Sequence, residues 1–201
     1  LNMDSSDLYS LSTQIDGEAH ASDYHEDTGT ALTLAVENMI TAFNDAAGRP
    51  NEDGDRKNIG AGSLGGEFGC ESNPLTPGVY TFGIDVNIDD TLYFGTAESD
   101  ETDVFIIQIA GNVFQAANKK AILTNGALAK NIFWQIAGKV EVGEAAHLVG
   151  ILLIMTDITF GTESSLSGRV LSQTACDLRK TTITEPPGSG PSSIASDVPT
   201  G

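Results

Sequence analysis

The stretch KNIFWQIAGKVEV (130–142) is apolar at nearly every position in its first half and alternates apolar with polar in its second. An upstream stretch, TDVFIIQIAGNVF (102–114), repeats that first half, and ILLIM (151–155) has the same character. A strand with one wet face alternates strictly, so a strand that is apolar throughout is buried on both sides. One clear helical pattern stands beside these strands. Over 31–47, Leu32, Val36, Met39, Ile40, Phe43 and Ala47 recur at the spacing of one helix face. Glu37, Asn38, Thr41, Asn44 and Asp45 mark the wet side. Thr30 suits the N-cap, Gly48 the C-terminal stop, and Pro50 blocks continuation. The helix is the expected cover for the outer side of the doubly apolar strands. Two sheets packed face to face would give the same strand pattern.

The chain also repeats itself. With 131, 149 and 167 aligned, Trp134, Leu152 and Val170 share a column, as do Val140, Ile158 and Cys176, and Val142, Phe160 and Leu178. The period is 18 residues; the upstream copy lies 27 residues back, so that coil carries nine extra residues. VYTFGIDVNI (79–88) reads as one further coil. An 18-residue unit of three short segments has the size of one turn of a triangular β-helix, whose coils stack at about 4.8 Å. The expected fold is therefore mostly β: a three-faced β-helix, or solenoid, with one long α-helix packed along one face. It forms one domain over 1–184, with the helix at about 31–47 and the coils at about 75–184. The Pro/Gly/Ser-rich segment 185–201 reads as a flexible tail.

Charge narrows the function. The 201 residues include 10 basic and 28 acidic side chains, a formal net charge of −18. Such a chain repels nucleic acid, and no basic stripe offsets this. No apolar run approaches the roughly 20 residues of a membrane-spanning helix. The first residues, LNMDSSDLYS, have neither the basic nor the apolar region of a signal peptide. Two cysteines, Cys70 and Cys176, are too few for a disulfide scaffold and lack metal-finger spacing. Cys176 reads as a buried free thiol, although one bridge between the two is open.

Chemical motifs are weak. GAGSLG (60–65) matches the dinucleotide-binding glycine pattern but lacks the preceding apolar strand and following helix, so its glycines are expected to make tight turns. DVNIDD (85–90) begins like a calcium loop, yet Asp90 and Thr96 stand where Gly and Glu are required. NEDGD (51–55) reads as a turn. His20 and His25 sit in an acidic stretch and read as solvated, while His147 aligns with Ser165 at an outward position. No nucleophile–base motif or metal-ligand pair is present. The expectation is no enzyme, no cofactor and no metal.

The ordered run LAVENMITAFNDAAGRP, IGAG, LTPGVYTFG, DVFIIQIAG, NGALAKNIFWQIAGKVEVG, GRVLSQTACDL and TTITEP, spanning about residues 3–186, resembles the ice-binding (antifreeze) β-helix family of polar microbes, fungi and microalgae. The resemblance implies a right-handed β-helix with a flanking helix, secretion, and adsorption to ice and its ordered water. It also implies a discontinuous order, the final coil packing beside an N-terminal coil. Family members carry about one more coil ahead of MDSS, so a shortened stack with exposed end strands is expected. A monomer is expected, with neither nucleic acid nor membrane as partner. The family's ice-face pattern is Thr, Ala/Gly, an inward residue, then Thr/Asn. Carried onto this chain it gives Asn87, Thr156, Thr159, Thr174 and Ala175; Asn112 and Asp157, which depart from the pattern at its second position, are counted with them as ice-contacting residues. Phe114, Lys139, Glu141, Asp157 and Asp177 interrupt the pattern, so moderate activity is expected. The threonines also favour strands for their own sake. A non-catalytic adhesion or carbohydrate-binding solenoid is the alternative, and a degenerate lyase a residual one.

Overall fold

The computed structural model describes residues 26–52 and 54–186. The expectations for His20, His25 and most of the 185–201 tail fall outside these residues. Two six-stranded parallel sheets and a two-stranded one form three faces. The first face contains Gly78–Phe82, Phe105–Ile109, Ile132–Ile136, His147–Ile154, Ser165–Ser172 and Thr182–Thr184. The second contains Ser63–Leu64, Val86–Ile88, Val113–Gln115, Val140–Val142, Asp157–Phe160 and Ala175–Leu178. Leu92–Phe94 pairs with Ala121–Leu123 on the third, and Lys120 bridges to His147 there. Both large sheets run in chain order among the described residues, so the discontinuity implied by the resemblance is absent from this part.

Register matches the repeat. Trp134 pairs with Leu152, which pairs with Val170, at a period of 18. Ile107 pairs with Trp134 and Tyr80 with Ile107, at a period of 27. The nine extra residues enter between the third face and the first: Lys120 to Trp134 spans 14 positions, whereas the paired His147 to Leu152 spans 5. Inward side chains from all three faces form one core that includes Phe94, Phe105 and Trp134, with Phe94 edge-on to the other two rings at 5.4 and 6.1 Å. The Trp134 indole N–H donates to Val149 O at 2.9 Å, which satisfies the one polar group of a fully buried side chain.

The helix lies on the first face, as the apolar strands require. It runs Glu26–Gly48, five residues longer at its start than the sequence pattern suggests. Thr30 is thus inside the helix and is not its N-cap. A threonine costs at most about 0.7 kcal/mol in a helix interior, too little to stop the hydrogen-bond ladder. The buried line also differs: Met39 and Ala46 are buried and Phe43 half-buried, against Leu153, Ile106, Ile151 and Leu171. Val36, Ile40 and Ala47, expected on the packed face, are exposed. The helix touches the sheet along a narrow stripe, so positions one step around it face away.

Outward positions on the central strands carry glutamines as well as aliphatics. Gln108 is buried, and its Nε2 donates to Ala46 O and Arg49 O, both at 2.8 Å. Ala46 O lies in the last helical turn, where its other donor is the Arg49 N–H at 3.4 Å, and Arg49 O lies just past the helix end. The Thr81 hydroxyl donates to Gln108 Oε1 at 2.9 Å, and Asn51 Nδ2 donates to the Thr81 hydroxyl at 3.1 Å. A buried side chain of the sheet therefore caps the helix and fixes where it stops.

Toward the end of the chain the stack loosens. Leu178 and Ile183 are exposed, Val170 half-buried, and Cys176 half-buried against the core instead of fully enclosed. Both cysteines are free thiols. Burial and the neighbouring Asp177 push the Cys176 thiol pKa up, so it stays protonated near neutrality.

The Gln108 cap makes a direct prediction. Gln108→Ala removes the side-chain donor from the Ala46 and Arg49 carbonyls, leaving Ala46 O with only the 3.4 Å contact to Arg49 N–H, and lowers stability by about 1–3 kcal/mol. Urea melts measure the loss, and amide exchange should quicken first over the last helical turn.

Candidate functional site

The second face is where the sequence places its candidates, and pairing sets their positions. Ser63, Asn87, Phe114, Glu141, Thr159 and Asp177 follow one another in register across its six strands. One pleat back, Asp85, Asn112, Lys139, Asp157 and Ala175 form a second column, because Val86, Val113, Val140, Ile158 and Cys176 pair in sequence. At the corner before these strands, Thr174 N–H donates to Thr156 O at 3.2 Å. All seven candidates thus lie on one face or its corner. Ala175 and Thr174 are exposed; Asn87, Asn112, Thr156, Asp157 and Thr159 are half-buried.

Position alone does not make the seven equivalent. Asp85 Oδ1 accepts from both the backbone N–H and Nδ2 of Asn112, at 2.7 and 3.1 Å. Asn112 Oδ1 in turn accepts the Lys139 N–H at 3.0 Å. These side chains run along the stack and tie coil to coil, so Asn112 serves as a rung of the scaffold. The ladder explains why glycine stands where the family pattern has threonine. A Cβ at Gly111 would lie 2.4 Å from Asp85 Oδ1, and one at Gly138 would lie 2.5 Å from Gly111 O and Asn112 Oδ1. One coil later the corner accepts Thr156, but its hydroxyl is shielded and has no hydrogen-bond partner among the described residues. Thr159, Thr174, Ala175 and Asn87 remain as the uncharged outward groups.

Charged neighbours divide the face. Lys139 Nζ lies 2.5 Å from Glu141 Oε1 and 5.6 Å from the centre of the Phe114 ring. The Glu141 hydrogen bond, then its charge and those of Asp157 and Asp85, hold the Lys139 pKa above its usual value. Arg179 pairs with Asp177 at 3.0 Å near the stack end. The sequence pattern marks Phe114, Lys139, Glu141, Asp157 and Asp177 as interruptions but does not pair them. The two-residue spacing of Lys139 and Glu141 was the available signal, since it puts both on one side of a strand.

The remaining motifs resolve into structure. In GAGSLG, Gly62 and Gly65 have φ of 86° and 94°, and a Cβ would lie 2.3 and 2.4 Å from Asp85 O and Asp90 O. They permit tight turns against the next coil. In DVNIDD, Asp85 serves Asn112, Asp89 accepts from the Ser63 hydroxyl at 3.2 Å, and Asp90 pairs with Lys119 at 3.0 Å. The Lys119 hydrogen bond lowers the Asp90 pKa. These carboxylates diverge, and among the described residues no three His, Cys, Asp or Glu side chains gather as metal ligands. No described helix is long and apolar enough to cross a membrane.

Comparison with known proteins places this geometry in context. The family model described as Ice-binding-like matches residues 2–184. An ice-binding protein of Colwellia sp is 46% identical over 77% of the chain and 57% of the relative. One from Flammulina populicola is 38% identical over 92% of the chain and 71% of the relative. A solved structure of an Arctic yeast ice-binding protein, described for its antifreeze activity, superposes with a TM-score of 0.76 at 37% identity, covering 85% of this chain and 69% of that one. The chain spans little more than half the length of the two bacterial relatives from Colwellia and Flavobacterium frigoris.

The start of the first-face strand His147–Ile154, where it meets the third face, supplies a pH-dependent element. His147 Nδ1 lies 2.8 Å from the Ser165 hydroxyl. Burial, aided by the Lys120 charge, holds the His147 pKa below its ordinary 6.5. The unfolded chain therefore takes up this proton at higher pH than the folded one. Stability from this group is complete above about pH 6.5 and falls as pH drops below it. His147→Gln should flatten that part of the Tm-against-pH profile between about pH 7 and 5; parallel profiles for variant and parent would refute the assignment.

Proposed function

The chain belongs to the Ice-binding-like family, and from that premise we propose that it adsorbs to ice through its second face. The carrying observation is the in-register column running through Asn87 and Thr159, with Thr174 and Ala175 alongside. Ice offers neither charge nor a pocket. A binder needs a rigid, repeating surface whose side chains hold water in a lattice-like array. Stacked coils repeat those side chains at about 4.8 Å. Each contact is weak, but the backbone ladders fix the array beforehand, so little conformational entropy is lost on binding. Thr methyl groups pack against ordered water while hydroxyls join its network. Adsorbed molecules force ice to grow between them as curved fronts, which lowers the local freezing point and slows recrystallisation.

The chain works in this reading as a secreted, monomeric, non-catalytic protein whose single ice-binding domain ends near residue 184. Its antifreeze activity is moderate, because Lys139, Glu141, Asp157 and Asp177 are strongly hydrated groups on the same surface. A carbohydrate-binding solenoid lacks comparable support: Trp134, the chain's one tryptophan, is fully buried and offers no stacking platform.

Thr159→Tyr tests the reading. A bulky ring in the middle of the array should cut thermal hysteresis roughly ten-fold by removing the flat fit, while circular dichroism and Tm stay close to the parent. Full hysteresis in a folded variant would exclude this face.

A further inference from the structure

The second face is not one surface. Phe114, Lys139 and Glu141 belong to two adjacent coils in the middle of the stack, between Asn87 on one side and Thr159 on the other. Their contacts are with one another: the Lys139 ammonium bonds Glu141 at 2.5 Å and stands over the Phe114 ring at 5.6 Å. The Lys139 backbone is fixed as well, by its N–H to Asn112 Oδ1 at 3.0 Å. The ammonium is thereby fixed on this face, between a carboxylate and an aromatic ring. Lysine and phenylalanine side chains also rise farther from a sheet than threonine or alanine.

We infer that this cluster is a built-in boundary that confines ice contact to the later coils, around Thr159, Thr174 and Ala175. The inference rests on the proposed ice-adsorbing role of the face. Two physical effects act together at the cluster. The raised side chains prevent a flat ice plane from touching the rows on both sides at once. The charged groups keep their own tightly bound water, which does not follow the ice lattice; Asp157 and Asp177 bring the same effect into the later coils, so side-chain height is what sets the cluster apart. The cluster thus limits how many coils one molecule commits to a crystal, and so sets both activity and the choice of ice plane. Phe114, Lys139 and Glu141 act here as specificity-determining residues by exclusion.

The experiment removes the boundary. Lys139→Ala with Glu141→Thr, which gives this coil a small residue followed by threonine, should raise thermal hysteresis roughly two-fold at equal concentration, since a fixed array gains contacts at little entropic cost. Fluorescently labelled protein should also coat additional planes of a single ice crystal. Phe114→Thr, on the neighbouring coil, should move both readouts the same way and carries the test if the double variant fails to fold. Folded variants with unchanged or lower hysteresis and an unchanged plane pattern would overturn the boundary. Thr159→Tyr measured alongside separates the two ideas. Loss of binding there with no gain at the cluster refutes only the boundary, whereas no effect of Thr159→Tyr refutes ice contact through this face.

Discussion

Parallel pairing of one coil onto the next is the constraint from which the rest of this molecule follows. A ladder at about 4.8 Å spacing leaves no freedom in the distance between equivalent residues of successive coils. Inward, it lines up apolar side chains into one continuous core that no single coil could bury. At the corners it brings backbone so close to backbone that a Cβ at Gly111 or Gly138 would collide with the coil before it. Outward, it turns sequence period into spatial lattice, so a residue recurring at 18 or 27 positions becomes a column on a face.

The same constraint leaves each outer face with its own problem. On the first face Ile106, Ile151 and Leu153 need a cover, which the helix supplies through Met39, Phe43 and Ala46. Covering a sheet with a helix creates a second difficulty, because the helix C-terminus comes to rest over apolar strands and its last carbonyls need donors. Gln108 meets that need from below. On the second face no such cover is required, because the outward residues, Phe114 apart, are polar, small or charged. An acidic chain of net charge −18 can therefore keep a large core without exposing the strands that build it.

Much of this architecture was legible in the sequence because core and cover obey short, local rules. The 18-residue repeat, the 27-residue variant and the doubly apolar strands all appear in the observed register. The helix was legible in kind but not in extent. Its N-terminus depends on hydrogen bonding that a weak cap such as Thr30 does not override, and its buried line depends on where a narrow contact stripe falls. The candidate surface was legible as a set of positions and less so as a set of roles. Pattern matching assigned Asn112 outward, but its amide has a stronger use in joining Asp85 to the Lys139 backbone. It also treated Thr156 and Thr159 alike, although only a three-dimensional corner shields the hydroxyl of Thr156. Periodicity specifies which residues are neighbours; it does not specify which neighbour wins a hydrogen bond.

That distinction bears on how a repetitive scaffold can vary its surface. The inward residue of each coil is held to an apolar type by the core, and the corner glycines are held by contact with the next coil. Outward residues carry neither restriction, so they can change with little effect on stability. A substitution there instead alters water, either by matching an ordered array or by breaking it. The lysine, glutamate and phenylalanine in the middle of the second face sit on backbone as regular as that under Thr159. In the boundary proposed above, the difference along this face is one of side-chain height, superimposed on a backbone lattice that continues unbroken beneath it.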